Sequence, residues 1–332
     1  MPRILDVTVL FLDEGHISTA VGPLEIFRDA GVLWGLLTGT PGAPRFRVRS
    51  ASIGGKPVTT GAPYVVHPDE SLQRITRTDL VFVPSGGVDL DASLARNKPV
   101  IRFLRRMHER GARVAAVCSG VALLAESGLL DGKPATSHWA LADLYRGRFP
   151  AVDWRTEALV TESDGLYCGG GVHAALDLAL YLVERLCDRE TAVQCSKALL
   201  IDMPRASQAG FALLPLGRRH GDRVMARAED RILRHCRETV RFETLARELG
   251  MSPRNFIRRF KQATGVSPLE YLQRLRVHAA KRFLEEDRLG VQEIAGEVGY
   301  EDAAFFRDLF KRHTGLSPAA YRRRFGADQP AA

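Results

Sequence analysis

Phe260-Lys-Gln-Ala-Thr-Gly-Val-Ser-Pro268 returns fifty positions later as Phe310-Lys-Arg-His-Thr-Gly-Leu-Ser-Pro318. Upstream, Leu245-Ala-Arg-Glu-Leu-Gly250 is echoed by Ile294-Ala-Gly-Glu-Val-Gly299 at an offset of forty-nine. Self-similarity at such a period marks a duplicated supersecondary unit, here with one inserted residue. In each copy a short amphipathic helix runs into a glycine, and a second helix opens on a capping residue: Gly250-Met-Ser252-Pro253, then Gly299-Tyr-Glu-Asp302. Glycine suits the left-handed position past a helix, Ser252 and Asp302 can cap backbone N–H groups, and Pro253 fits the first helical position. That is the grammar of helix-turn-helix units. Between the copies, Ser267-Pro-Leu-Glu270 reads as a capping box opening a long helix to about Glu285. Leu269, Leu272, Leu275 or Arg276, Ala279 and Phe283 fall near one face of it.

The charge follows the repeat. Residues 216–332 hold 24 Lys and Arg against 16 Asp and Glu, so this third carries the whole formal excess of +8 of the 332-residue chain. A basic surplus confined to one region supplies a field for a polyanion, although a solvated helical surface would look the same. At 45% apolar and 26% charged residues the composition forms cores and excludes a disordered chain, and the length predicts two domains. No apolar run approaches the ~18 residues of a membrane span, and Asp6 breaks any signal-peptide core. A cytoplasmic location with no membrane partner is therefore expected. Five cysteines, Cys118, Cys168, Cys187, Cys195 and Cys236, are odd in number and lack CxxC spacing. They argue for reduced thiols and against a disulfide scaffold; neither a metal nor a cofactor is expected.

From about Asp222 to Phe325 these motifs resemble the AraC/XylS DNA-binding domain, over essentially its full length. The resemblance implies an all-α double helix-turn-helix domain whose second helices, about 253–263 and 303–313, enter successive major grooves on one DNA face. It puts Arg254, Ile257 and Arg258 at base-contact positions of the first copy, with Ser252 and Asn255 beside them, and Ala303, Ala304, Phe305 and Asp308 in the second. Arg can read guanine bidentately, whereas Asp308 stands where the family often has Arg and can only accept from a cytosine amino group. Direct readout is therefore expected mainly from the first unit. Arg259, Lys261, Arg307, Lys311 and Arg312 are assigned to phosphate positioning, or else to a solvated surface. Leu245, Phe256, Phe260, Phe306 and Phe310 read as core, since aromatics at helical spacing usually pack inward.

The first two thirds read differently. Apolar runs at Ile4–Leu12, Phe46–Ala51, Leu80–Pro84 and Val114–Val117 suit buried parallel strands, and stretches 21–37 and 98–110 suit helices. The class is an α/β flavodoxin-like, doubly wound sheet, whose sites form beyond the carboxyl ends of strands. There stand Pro84-Ser-Gly86-Gly87 and Ala116-Val-Cys118-Ser119-Gly120, the latter followed by a helix Val121–Glu126. A cysteine at a strand-to-helix elbow sits near a helix N-terminus, where local potential favours thiolate, and Gly86 and Gly87 can offer an oxyanion cradle.

With Ala135-Thr-Ser-His138-Trp139, this region resembles the ThiJ/PfpI branch of class I glutamine amidotransferase-like folds over roughly residues 4–200. The two resemblances together describe a GlxA-type transcriptional regulator. Two departures bear on catalysis: His138 is followed by Trp139-Ala140, not His-x-Glu, and Ser18 and Thr19 supply hydroxyls where catalytic relatives carry a carboxylate. The expected organisation is a sensor domain over 1–203, a linker over 204–220 rich in Pro and Gly, and a DNA-binding domain over 221–326. The pocket residues are Gly86, Gly87, Cys118, Ser119, His138 and Thr19, with no catalytic residue assigned unless it is Cys118. The expected function is a sequence-specific transcription regulator that senses a small metabolite without turnover. A Cys118-dependent hydratase, amidase or deglycase-like enzyme tethered to DNA is one alternative, and a thiol redox sensor is another. Implied partners are double-stranded DNA, RNA polymerase, a second copy in a homodimer, and an amino acid, quaternary amine or similar effector.

Overall fold

The computed structural model describes residues 3–61, 64–203, 207–211, 220–286 and 288–326. The chain divides into two compact units, Met1–Gln208 and Ala209–Ala332. Much of the expected linker, residues 204–206 and 212–219, lies outside the described residues. Ser207 and Gln208 fold with the first unit: Ser207 bridges Ala158, and the Ser207 hydroxyl and Gln208 N–H both donate to Glu157 O.

The first unit has strands β1 (Leu5–Leu10), β2 (Phe46–Ser52), β3 (Val58–Thr59), β4 (Val65–Val66), β5 (Glu70–Ser71), β6 (Leu80–Val83), β7 (Arg113–Val117), β8 (Pro134–Ala135), β9 (Asp153–Trp154), β10 (Val160–Ser163) and β11 (Leu166–Gly169). Its helices are α1 (Ser18–Asp29), α2 (Leu33–Thr38), α3 (Leu90–Arg96), α4 (Lys98–Glu109), α5 (Val121–Glu126), α6 (Ala142–Arg148), α7 (Ala174–Leu186) and α8 (Arg189–Leu199). Seven strands form one sheet in the order β10-β11-β7-β6-β1-β2-β5, parallel except for the β10–β11 pair. Alternate residues of the central strands feed two cores. Val81, Val83, Val114 and Ala116 pack with Phe103, Leu104 and Met107 of α4 on one face. Leu80, Phe82, Ala115 and Val117 pack with Phe27 of α1 and Leu178 and Leu182 of α7 on the other. Burial on both faces is why these strands read as continuous apolar runs.

Two local expectations change. The helical stretch 21–37 is two helices, because Gly31 adopts φ +79° where a Cβ would stand 2.3 Å from Ala43 O. The sheet also ends in the hairpin β10–β11, turned by Asp164 (φ +50°) and Gly165 (φ +74°), the two left-handed residues of a tight hairpin turn.

The second unit holds α9 (Arg223–Arg234), α10 (Phe242–Glu248), α11 (Pro253–Thr264), α12 (Pro268–Glu286), α13 (Val291–Glu297), α14 (Ala303–Thr314) and α15 (Pro318–Phe325). Leu245, Phe256 and Phe260 share one core with Leu272 and Leu275, while Phe306 and Phe310 share another with Val277, Ala280 and Leu284. The long helix α12 thus buries different sides in two successive cores. That is why Leu269, expected on its buried face, is exposed, and why Arg276 and Lys281 are buried. The Arg276 guanidinium donates to Cys236 O (2.7 Å), Glu238 O (2.8 Å) and Gly299 O (2.9 Å), joining the turn after α9 and the turn of the second copy to α12. Its charge also lies over the Tyr300 ring, 4.7 Å from the centroid.

Candidate functional site

At the end of β7 the chain turns sharply through Cys118, whose φ of +55° is an uncommon conformation for a residue with a side chain. Neighbouring backbone holds it there: Cys118 N–H donates to Gly170 O (2.9 Å), and the Ser137 hydroxyl donates to Cys118 O (2.7 Å). A Cβ on Gly120 would stand 2.1 Å from Pro84 O, so the close approach of elbow and β6 end requires glycine. The geometry is that of a nucleophile elbow. The electrostatics are not: burial pushes the Cys118 thiol above its ordinary range, and the opposing hydrogen bond from the Ser119 backbone is the smaller effect. Burial thus opposes the thiolate expected at the start of α5.

The hydroxyls around the elbow are engaged with one another. Thr19 is fully buried; its hydroxyl donates to His16 O (2.6 Å), accepts from Ser85 N–H (3.1 Å) and meets the Ser85 hydroxyl (3.1 Å). Thr19 and Ser85 therefore form a closed hydroxyl cluster with His16 O. Gly86 N–H, expected in an oxyanion cradle, is taken by the Ser119 hydroxyl at 3.1 Å. Gly87 has φ +90°, and a Cβ there would lie 3.4 Å from Glu14 Oε2, so a carboxylate flanks the place where an anion would need to sit. His138 Nδ1 accepts from Ala140 N–H (3.1 Å), while burial first and His16 second lower its pKa. With Nδ1 accepting, the neutral ring carries its proton on Nε2. The structure brings Gly86, Ser119 and Cys118 together, with Thr19 linked through Ser85 and His138 beside Ser137.

Two side chains here carried no sequence signal. The Tyr145 hydroxyl, from α6, donates to Ser119 O at 3.4 Å. Gln208 is buried, with Nε2 facing Ser137 O (2.7 Å), Thr156 O (2.9 Å), Thr136 Oγ1 (3.2 Å) and Ala158 O (3.2 Å). A small cavity of about 10 Å³ touches Gly15, His16, Pro84 and Ser85, room for one water at most.

The second unit presents two capped helices. Ser252 accepts from Asn255 N–H to start α11, and Asp302 accepts from Ala304 and Phe305 N–H to start α14. Phe256 and Phe260 on α11, and Phe306 and Phe310 on α14, point into the cores. The opposite faces expose Arg254, Ile257, Arg258 and Lys261 on α11, and Ala304, Phe305, Arg307, Asp308, Lys311 and Arg312 on α14. Arg258 donates to Asn255 Oδ1 (2.9 Å), pre-ordering its guanidinium. Two expected contact residues are engaged within the unit. Arg259 makes a two-point ion pair with Asp222 (2.7 and 2.9 Å), and half-buried Ala303 packs against the second core.

A family model described as the DJ-1/PfpI family matches residues 8–185, and one described as a helix-turn-helix domain matches residues 245–324. The chain therefore belongs to the DJ-1/PfpI family, in its branch of transcriptional regulators with a C-terminal AraC-type helix-turn-helix domain. It is 30% identical over 291 residues to the HTH-type transcriptional regulator GlxA of Rhizobium meliloti, covering 86% of this chain and 88% of that one. It is 26% identical over 292 residues to the HTH-type transcriptional regulator CdhR of Pseudomonas aeruginosa, covering 87% and 85%. An isonitrile hydratase of Pseudomonas putida is 33% identical over 139 residues, covering 41% of this chain and 58% of that one. Among solved structures, a ThiJ/PfpI family protein from Pseudomonas syringae superposes with TM-score 0.51 at 26% identity, covering 63% of this chain and 80% of that one. No helix among the described residues is long and apolar enough to cross a membrane.

Proposed function

We propose that the first unit senses a small metabolite near the Cys118 elbow without turning it over, and that α11 and α14 read DNA. The observation that carries the sensor reading is the disarmed elbow. Its backbone strain is kept, but burial disfavours its thiolate and the carboxylate position is filled by Thr19, tied to His16 and Ser85. With Thr19 and the Gly86 N–H already engaged, bound ligand is recognised rather than attacked. Base reading falls to Arg254, Ile257 and Arg258 on α11 and to Ala304, Phe305 and Asp308 on α14; Lys261, Arg307, Lys311 and Arg312 hold phosphates. The effector is an amino acid, quaternary amine or similar nitrogen compound, as the resemblance to regulators of this type implies. The regulator works in the cytoplasm as a homodimer in contact with RNA polymerase.

The test is a thermal-shift screen of small nitrogenous metabolites on the wild type and Cys118→Ala, with every stabilising compound recovered and checked for chemical change. A stabilising compound returned unchanged supports the sensor. The retained elbow and the isonitrile hydratase relative favour a second reading, a Cys118-dependent enzyme. Consumption by wild type but not by Cys118→Ala would establish that reading and refute the first.

A further inference from the structure

The two capped helices of the second unit carry opposite chemistries. Counted from the caps Ser252 and Asp302, Arg254, Asn255 and Arg258 on α11 correspond to Ala304, Phe305 and Asp308 on α14. The first set is rich in donors, with Arg258 already ordered by its hydrogen bond to Asn255 Oδ1. The second set offers a methyl group, a benzyl ring and a carboxylate, and so no side-chain N–H at all. Phe305 is 46% exposed, whereas Phe306 beside it is fully buried. Its ring stands on the same outward side as the exposed cations Arg307, Lys311 and Arg312. The ring is also held in place. The turn of the second copy carries one residue more than the first, Tyr300-Glu301 standing where Met251 stands alone between glycine and cap. Phe305 leans on Tyr300 with ring centroids 5.7 Å apart, and Tyr300 lies 5.9 Å from Phe306 and under the Arg276 guanidinium at 4.7 Å. Arg276 is fixed in turn by three backbone carbonyls. An exposed aromatic with so firm a backing has lost most of its rotamer freedom before any partner arrives, which lowers the cost of binding.

We propose that Phe305, backed by Tyr300, determines specificity by reading the 5-methyl group of a thymine in the major groove. This rests on the reading of α14 as a base-contacting helix and adds which base it selects and by what group. A benzyl ring has no hydrogen bond to give a phosphate, so its partner on the duplex must be apolar. Among the base edges of the major groove, the thymine methyl is that partner. Ala304, exposed next to Phe305, adds a second apolar surface to the same turn, and Asp308 lies one turn further on with acceptors only. The two helices therefore divide the work by chemistry: donors on α11 suit guanine, while the apolar turn of α14 suits thymine. Burying one methyl group in such a contact is worth about fourfold in affinity.

The experiment uses the full chain and a duplex selected from a random pool, with each thymine replaced in turn by deoxyuridine. That replacement removes the methyl group and leaves every hydrogen-bonding edge unchanged. Kd is read by fluorescence anisotropy for wild type, Phe305→Ala, Phe305→Leu and Ile257→Ala. The expected result is one or two thymines at which deoxyuridine weakens wild type about fourfold and Phe305→Ala by less than about 1.5-fold. Phe305→Leu should retain part of that penalty, and Ile257→Ala, altered on the other helix, should retain all of it. A selected duplex without such a thymine, deoxyuridine tolerated within about 1.5-fold at every position, or a penalty that Phe305→Ala keeps in full overturns the proposal. If Phe305→Ala nevertheless loses affinity for the preferred duplex in those cases, α14 remains a base-contacting helix and only the thymine assignment falls. If Phe305→Ala changes neither affinity nor base preference, both fall together.

Discussion

Replacing Arg276 by Met should separate the stabilities of the two units. Wild-type Arg276 is 9% exposed, and its guanidinium satisfies three backbone carbonyls, those of Cys236, Glu238 and Gly299. Methionine keeps much of the stem's packing but strands these acceptors, each worth about 1–3 kcal/mol when buried without a partner. It also removes the cation over Tyr300, about 0.5–2 kcal/mol. Water will reach part of the site, since the cleared space is polar, so a total of about 3–5 kcal/mol is expected. At a urea slope of about 2 kcal/mol per M, the midpoint of the second unit falls by roughly 2 M. The chain carries its own probe for locating the loss. All three tryptophans, Trp34, Trp139 and Trp154, lie in the first unit. Dichroism at 222 nm should show an early transition in Arg276→Met while tryptophan fluorescence keeps the wild-type midpoint. A loss below about 1 kcal/mol, or an equal shift in fluorescence, would refute the assignment of Arg276 as the staple of the second unit.

Other outcomes follow from the same geometry. Because burial raises the Cys118 pKa, its alkylation should be slow at pH 7.5 and climb with a midpoint above that of an exposed thiol; a plateau reached below pH 7 would mean an activated thiolate. Asp222 is held below the usual carboxylate range chiefly by its hydrogen bonds from Arg259, so its contribution is present above the unfolded pKa of about 3.9 and is lost as pH falls through the folded value. The stability difference between wild type and Asp222→Asn should accordingly shrink as pH drops from about 5 to below 3; a constant difference contradicts the pairing. On DNA, Arg254→Ala should cost about 1–3 kcal/mol at a preferred site and relax base preference, whereas Lys261→Ala should weaken all sequences alike and reduce the salt slope by about 1. Equal losses on every sequence for Arg254→Ala would remove it from base reading.

The repeat made the reading helices legible, since a duplicated Phe-Lys-x-x-Thr-Gly-x-Ser-Pro pattern fixes both their register and their caps. The elbow was legible too, because a β-branched run ending in Cys-Ser-Gly can hardly be anything but a strand turning into a helix. What escaped was nonlocal. Gln208 sits in a stretch whose prolines and glycines suggest only a linker, and no spacing announces that its carboxamide meets Thr136 and Ser137, some seventy residues away. Arg276 and Lys281 look like solvated cations until α12 is seen to run through two cores, which also explains the misplaced Leu269. Desolvation of Cys118 likewise depends on packing that its neighbours in sequence do not reveal. The β10–β11 hairpin is a different case: Asp164-Gly165 between Val160–Ser163 and Leu166–Gly169 is a local turn signal.

In the function proposed above, α11 and α14 together read one face of a duplex. The most direct test is guanine-methylation interference and hydroxyl-radical footprinting of the full chain on a duplex selected from a random pool, at two salt concentrations. The prediction is protection of two major-groove segments about 10–10.5 base pairs apart on one face, with guanine interference concentrated in the segment lost on Arg254→Ala. A single protected groove, or protection without sequence preference, would contradict it.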